Sequence, residues 1–135
     1  MITEASKAIF DQYNATQALK IVLPGGMFFH QSPDSVTTPY CVYRMGGYDR
    51  EEITGTAANA IVEVDWLFHV ASDAVDGGEE IRDCIQAIED AYNWQTLSVS
   101  GYNFISMQLM SVGPIMRVHE QWECVLYMTM KVEKE

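Results

Sequence analysis

Two periodicities in one chain predict an α+β fold, a mostly antiparallel sheet with two helices packed on one face. The first is alternation. From Ala60 to Ala71, Val62, Val64, Trp66, Phe68 and Val70 point one way, while Glu63, Asp65 and His69 point the other, with Leu67 among them. A period of two is a strand with one face on a core and one polar face. The second is a helical stripe. Ile81, Cys84, Ile85, Ile88, Ala91 and Tyr92 recur at helical spacing, and Glu79, Glu80, Asp83, Glu89 and Asp90 lie off that stripe. The third observation is the hairpin length of the connections, which favours antiparallel pairing. Two helices over one face of such a sheet make a two-layer sandwich, the second helix laid across the strands.

In chain order the predicted elements run α, β, β, β, α, β, β, β. Thr3 to about Leu19 reads as a helix, because Ile2, Ala5, Ile9, Tyr13 and Thr16 are three or four apart. Thr3 is its expected cap. Pro24-Gly25-Gly26 is a turn, Met27 to His30 a short apolar strand, and Gln31 to Thr38, with Pro33 and Asp34, a loop. Pro39 opens the strand Tyr40–Met45, where a proline removes no ladder donor. Gly46 to Glu52 reads as a polar connection into the Ala60–Ala71 strand.

Asp76 followed by Glu79 resembles a capping box for the second helix. A start at Ala74 would instead place two glycines inside the helix, at about 1 kcal/mol each. Thr96–Ser100 is β-rich and short, Gly101 separates it from a strand over Asn103–Val112, and Gly113-Pro114 is a turn. The last strand runs from about Arg117 to Val132. Trp122, Cys124, Leu126, Met128, Met130 and Val132 share one face of it. Val125 and Tyr127 lie on the second, otherwise polar face, a hint that another subunit covers part of it. No repeat, low-complexity tract or linker interrupts the order, so residues 1–135 read as one domain. The closing Lys131–Glu135 segment is expected to fray at its end.

Composition narrows the function classes. The 135 residues are 48% hydrophobic, enough for a real core. Eight basic against 19 acidic residues give a net charge of −11. Clamping nucleic acid backbone needs clustered cations, and docking on an anionic membrane needs them too. The N-terminal residues show no basic start followed by an apolar run, and no stretch approaches the roughly 18 apolar residues of a membrane span. Cys41, Cys84 and Cys124 form no CxxC pair and read as buried reduced thiols. The implied compartment is the cytoplasm or a particle assembled there.

Candidate chemistry is sparse. His30, His69 and His119 have no HxxxH or HExxH spacing, so no metal site is expected. His69 shares a strand face with Glu63 and Asp65, which offers an acid–base set, but strand faces alternate this way whatever the function. Glu51-Glu52 and Glu79-Glu80 read as solvated neighbours, since a catalytic pair needs two carboxyls held across a cleft. Gly25-Gly26, Gly46-Gly47 and Gly77-Gly78 lack the phosphate-loop pattern, and no GxSxG is present. Cys124, on an apolar strand face, lacks the exposure and positive surroundings of a nucleophile. Met107, Met110, Met116, Met128 and Met130 cluster late, as core filling or, less favoured, as an adaptable binding surface. No catalytic, cofactor-binding or metal-ligating residue is assigned.

One set of phrases carries a resemblance. Pro24-Gly25-Gly26-Met27-Phe28-Phe29 precedes a loop with Pro33, then Thr38-Pro39-Tyr40-Cys41-Val42-Tyr43. A polar loop with Gly55 follows, then Ile61–Val70 and a helix entered from Ser72. This order resembles the tail-terminator or tail-completion proteins of long-tailed bacteriophages and prophages, best from Gly25 to Tyr92. The resemblance implies a structural virion subunit with no cofactor and no catalysis. It implies a cyclic homo-oligomer, a hexameric ring, that caps the tail tube at its final length. The implied partners are the major tail tube protein and the head-completion or connector protein, with DNA only passing through the channel.

In that frame the loop Gly46–Thr56, with Tyr48, Arg50, Glu51 and Glu52, is an arm toward a neighbouring subunit or the tube. Val125 and Tyr127 suit a subunit contact. A lumen lined by Asp and Glu would repel phosphate and let DNA slide. Two other readings compete. One is an acidic DNA mimic that inhibits a DNA-binding protein, which the charge favours and the scatter of the carboxylates does not. The other is a small α+β enzyme or ligand-binding domain, which requires His69, Asp65 or Glu63 to line a concave pocket.

Overall fold

The computed structural model describes residues 2–52 and 60–135, with 48–52 and 60 as backbone. Its elements are α1 (Ile2–Ala15), α2 (Gln17–Val22), β1 (Met27–Phe29), β2 (Tyr40–Glu52), β3 (Ala60–Ser72), α3 (Glu79–Tyr92), β4 (Tyr102–Val112), β5 (Met116–Val118) and β6 (Gln121–Lys134). The strands join in one sheet of order β1-β2-β3-β6-β4, and β5 continues beside β6. Among the described residues β1 pairs parallel with β2, and the other pairs are antiparallel. The fold is α+β, as expected, with the helices on one side of the sheet.

The alternating residues of β3 and β6 are the reason for this layering. Val62 to Val70 and Cys124 to Val132 present their apolar sets to the helices, and Trp66, Phe68, Leu126, Met128 and Met130 are fully buried. Opposite them lie Ile81, Cys84, Ile88 and Tyr92 of α3 and Ile9 of α1, also fully buried. Each such side chain contributes about 1.5–3 kcal/mol by leaving water. Tyrosines tie the layers together. The Tyr92 ring packs tilted against Phe68, centroids 5.1 Å apart, and its hydroxyl donates to the Ile9 carbonyl at 2.7 Å. The Tyr43 hydroxyl donates to the Ser6 carbonyl at 3.0 Å.

Several elements depart from the sequence reading. The first helix breaks at Thr16, whose backbone is extended and whose hydroxyl donates back to the Gln12 carbonyl at 2.7 Å. Such back-bonding competes with helix propagation. Thr3 lies inside α1 instead of capping it. Gly46–Glu52 is not a connection: β2 runs through it, with a bulge between Met45 and Gly47 that absorbs one residue. Residues 53–56 of the expected loop lie outside the described residues. Thr96–Ser100 joins no strand among the described residues. The expected final strand is broken at His119-Glu120, a two-residue hairpin turn with both φ positive, so Met116–Val118 pairs back on β6.

The second helix starts at Glu79 behind a left-handed Gly78. Asp76 still serves its N-terminus: its carboxylate accepts from the amides of Gly78 at 3.1 Å and Glu80 at 2.9 Å. The Thr38–Pro39 bond is cis. The three cysteines are free and buried.

Candidate assembly interface

The sheet face turned away from the helices carries no second layer among the described residues. Its side chains form cross-strand rows fixed by register. Glu63 lies opposite Lys131, Asp65 opposite Thr129, Leu67 opposite Tyr127, and His69 opposite Val125. β2 extends the Leu67 row with Arg44 and the His69 row with Val42, and β4 adds Ser111 beside Tyr127. The face therefore has a polar end and an apolar end.

The polar end is internally paired. Lys131 Nζ sits 3.0 Å from Glu63 Oε1, and the Thr129 hydroxyl donates to Asp65 Oδ1 at 2.9 Å. Exposed pairs of this kind contribute little to stability, about 0–1 kcal/mol, but they fix strand register. His69 Nε2 is 2.9 Å from Glu123 Oε1, diagonally across to β6. The suggested set of His69 with Glu63 and Asp65 is therefore not assembled, since each has a different partner. Among the described residues no group of three or more His, Cys, Asp or Glu side chains is placed to hold a metal.

The apolar end is open. Met110 is 60% exposed, Met116 52% and Tyr127 42%. Two shallow grooves meet at Tyr127. One, of about 510 Å³, runs between Leu67, Asp65 and Met110. The other, of about 290 Å³, is bounded by Pro114, Met116, Val118 and Val125, with the His69–Glu123 pair at its side. Large apolar side chains at such exposure mark a contact surface when they are contiguous. The sequence hint was the odd apolar pair Val125 and Tyr127 on a polar strand face. Met110 and Met116 were grouped with the core-filling methionines by position, whereas only Met107, Met128 and Met130 of that group are buried. Arg117 stacks over Trp122 at 5.2 Å from the ring centroid, closing the β5–β6 hairpin beside the grooves.

Tyr48, Arg50, Glu51 and Glu52 sit elsewhere, in the far half of the edge strand β2. Arg50 pairs with Val62, which pairs with Val132, so this stretch is two strands and roughly 20 Å along the strand axis from Val125. The structure does not bring the two groups of expected interface residues together in one chain.

No protein-family model and no curated protein matches the chain. Solved structures do. A chain of the virion of a native gene transfer agent particle superposes with a TM-score of 0.73 at 17% identity, over 94% of this chain and 92% of that one. The bacteriophage SPP1 gp17 protein superposes with a TM-score of 0.59 at 13% identity, over 93% and 86%. At these identities the likeness is one of fold, and it extends over nearly the whole of each chain.

Proposed function

We propose that the protein is a structural virion subunit, a ring-forming tail-terminator or tail-completion protein of a phage-type particle. In this reading several copies, most simply six, close a ring on the end of the tail tube. The ring contacts the major tail tube protein on one side and a head-completion or connector protein on the other. DNA passes through it without being held, helped by the net charge of −11. The carrying observation is the near full-length fold likeness to a chain of a gene transfer agent virion. The open apolar end of the sheet supports it, because a subunit of an assembly needs an unfinished surface.

The test is genetic. Deleting the coding sequence from its replicon should yield particles with tails of uncontrolled length or tails not joined to heads. Particles of normal tail length that still transfer DNA would overturn the reading.

A further inference from the structure

Edges of a sheet carry rows of N–H and C=O groups that need partners. One edge of this sheet is closed locally. The Trp94 amide donates to the Met107 carbonyl at 2.7 Å, the Leu109 amide donates to Asn93 Oδ1 at 2.8 Å, and bulges near Ile105 and Met110 interrupt the ladder. The other edge is not closed. β1 covers only Cys41–Tyr43, and among the described residues Arg44–Glu52 pairs with β3 alone. The direction of its free groups follows from the bonds. The Cys41 amide and the Tyr43 carbonyl both bond on the β1 side. The extra residue at the bulge reverses that parity, so beyond it Tyr48, Arg50 and Glu52 turn their backbone groups to the open edge.

A second stretch leaves its amides without backbone partners among the described residues. In Thr96–Ser100, Leu97 and Val99 are buried while Thr96, Ser98 and Ser100 are exposed, the alternation of a strand. None of its five amides donates to a backbone acceptor among the described residues. The Val99 carbonyl accepts from the Tyr102 amide at 3.1 Å across the turn into β4, and in an extended segment Ser98 turns its N–H and C=O the opposite way to Val99. A cleft of about 560 Å³ lies between α1, through Thr3, Lys7 and Asp11, and the segment itself, through Ser98 and Ser100.

The geometry points to a pairing of these two features between copies: the free half of β2 in one copy lies against Thr96–Ser100 of the next, in the cleft beside α1. This rests on the self-assembly proposed above and names its contact. A second copy is the fitting occupant because the chain itself supplies a long unpaired edge and an unpaired strand-like segment on different surfaces. Such a contact is head-to-tail and repeats from copy to copy. Chemistry agrees. The stretch Arg44–Glu52 mixes both charge signs, and the charged side chains Glu4, Lys7 and Asp11 line the cleft, Lys7 and Asp11 as an ion pair at 2.7 Å.

The test uses the full chain. Ser98→Pro removes an amide on the open side of the segment, and Arg50→Pro does so on the open edge of β2 while sparing its ladder to β3. Both should raise the dissociation constant of self-association at least tenfold in analytical ultracentrifugation, with circular dichroism unchanged. A mixture of chains carrying Ser98→Cys with chains carrying Arg50→Cys should cross-link to each other, the native thiols being buried. An assembling wild type with neither effect would overturn the pairing and leave the proposed function standing. A wild type that stays monomeric both alone and on tail tubes would overturn both.

Discussion

At the scale of single residues the backbone sets the strictest demands. A Cβ on Gly25 would lie 1.6 Å from the Thr37 carbonyl oxygen and 2.7 Å from that of Pro39, where the turn before β1 meets the loop before β2. The Gly25 amide donates to the Pro39 carbonyl at 3.0 Å, so the two segments are bonded as well as close. Gly25→Ala must push backbone apart and should cost about 3 kcal/mol, read as a fall in urea midpoint at unchanged m. The His119-Glu120 turn is the reverse case. Both residues hold φ values, 48° and 66°, that glycine or asparagine adopts more easily. Replacing the pair with Asn-Gly should stabilise by about 1 kcal/mol and raise Tm by a few degrees. Buried protons give a third test. Burial pushes the Cys84 thiol up to about 12 and the Tyr43 hydroxyl up to about 12. Unfolded, these groups release protons near about 8.5 and 10. Above those values the folded chain binds more protons than the unfolded one, so stability falls as pH rises toward 12. The slope should approach about 1.4 kcal/mol per pH unit for each group. Urea unfolding at pH 8 and 10.5 checks it, and Cys84→Ala should flatten the slope; equal stability at both pH values would refute it.

At the scale of elements, what the sequence states well is periodicity backed by burial. β3, α3 and β6 were legible because each presents a long apolar set to one core, and those sets fill it. What it states poorly depends on partners far along the chain. Gly46–Glu52 is polar and glycine-rich, yet it is a strand because β3 offers it a ladder from Ala60 to Asp65. Thr96–Ser100 has strand chemistry, yet it joins no ladder among the described residues, because Asn93 and Trp94 already occupy the adjacent edge of β4. The exposed apolar end of the sheet was half legible for a related reason. Val125 and Tyr127 betray themselves by breaking a polar pattern, but Met110 reaches the larger of the two grooves beside Tyr127 through a bulge that no spacing rule reveals. The Asn93 contact is itself testable. Asn93→Ala removes the acceptor for the Leu109 amide and should cost about 1 kcal/mol, with faster hydrogen exchange at Leu109 and little change in β3.

At the scale of the whole molecule, the two layers divide the labour. The helix side and the inner sheet face hold nearly all the large buried side chains, so stability resides there. The outer face holds exposed Tyr127, Met110 and Met116, which contribute little to the core. A substitution there should therefore separate folding from assembly. Tyr127→Glu places a charge where the two grooves meet, on a side chain that is 42% exposed, so the fold should lose less than about 1 kcal/mol. If that face is covered by a neighbouring virion protein or copy, the same charge becomes buried without a partner and opposes docking strongly. The expected result is an unchanged Tm together with loss of incorporation into particles when the variant replaces the wild type. Tyr127→Phe keeps the ring and should be incorporated normally. Normal incorporation of Tyr127→Glu would show that the apolar end of the sheet stays open to water in the particle, and the assembly contact would then have to be sought on the strand edges instead.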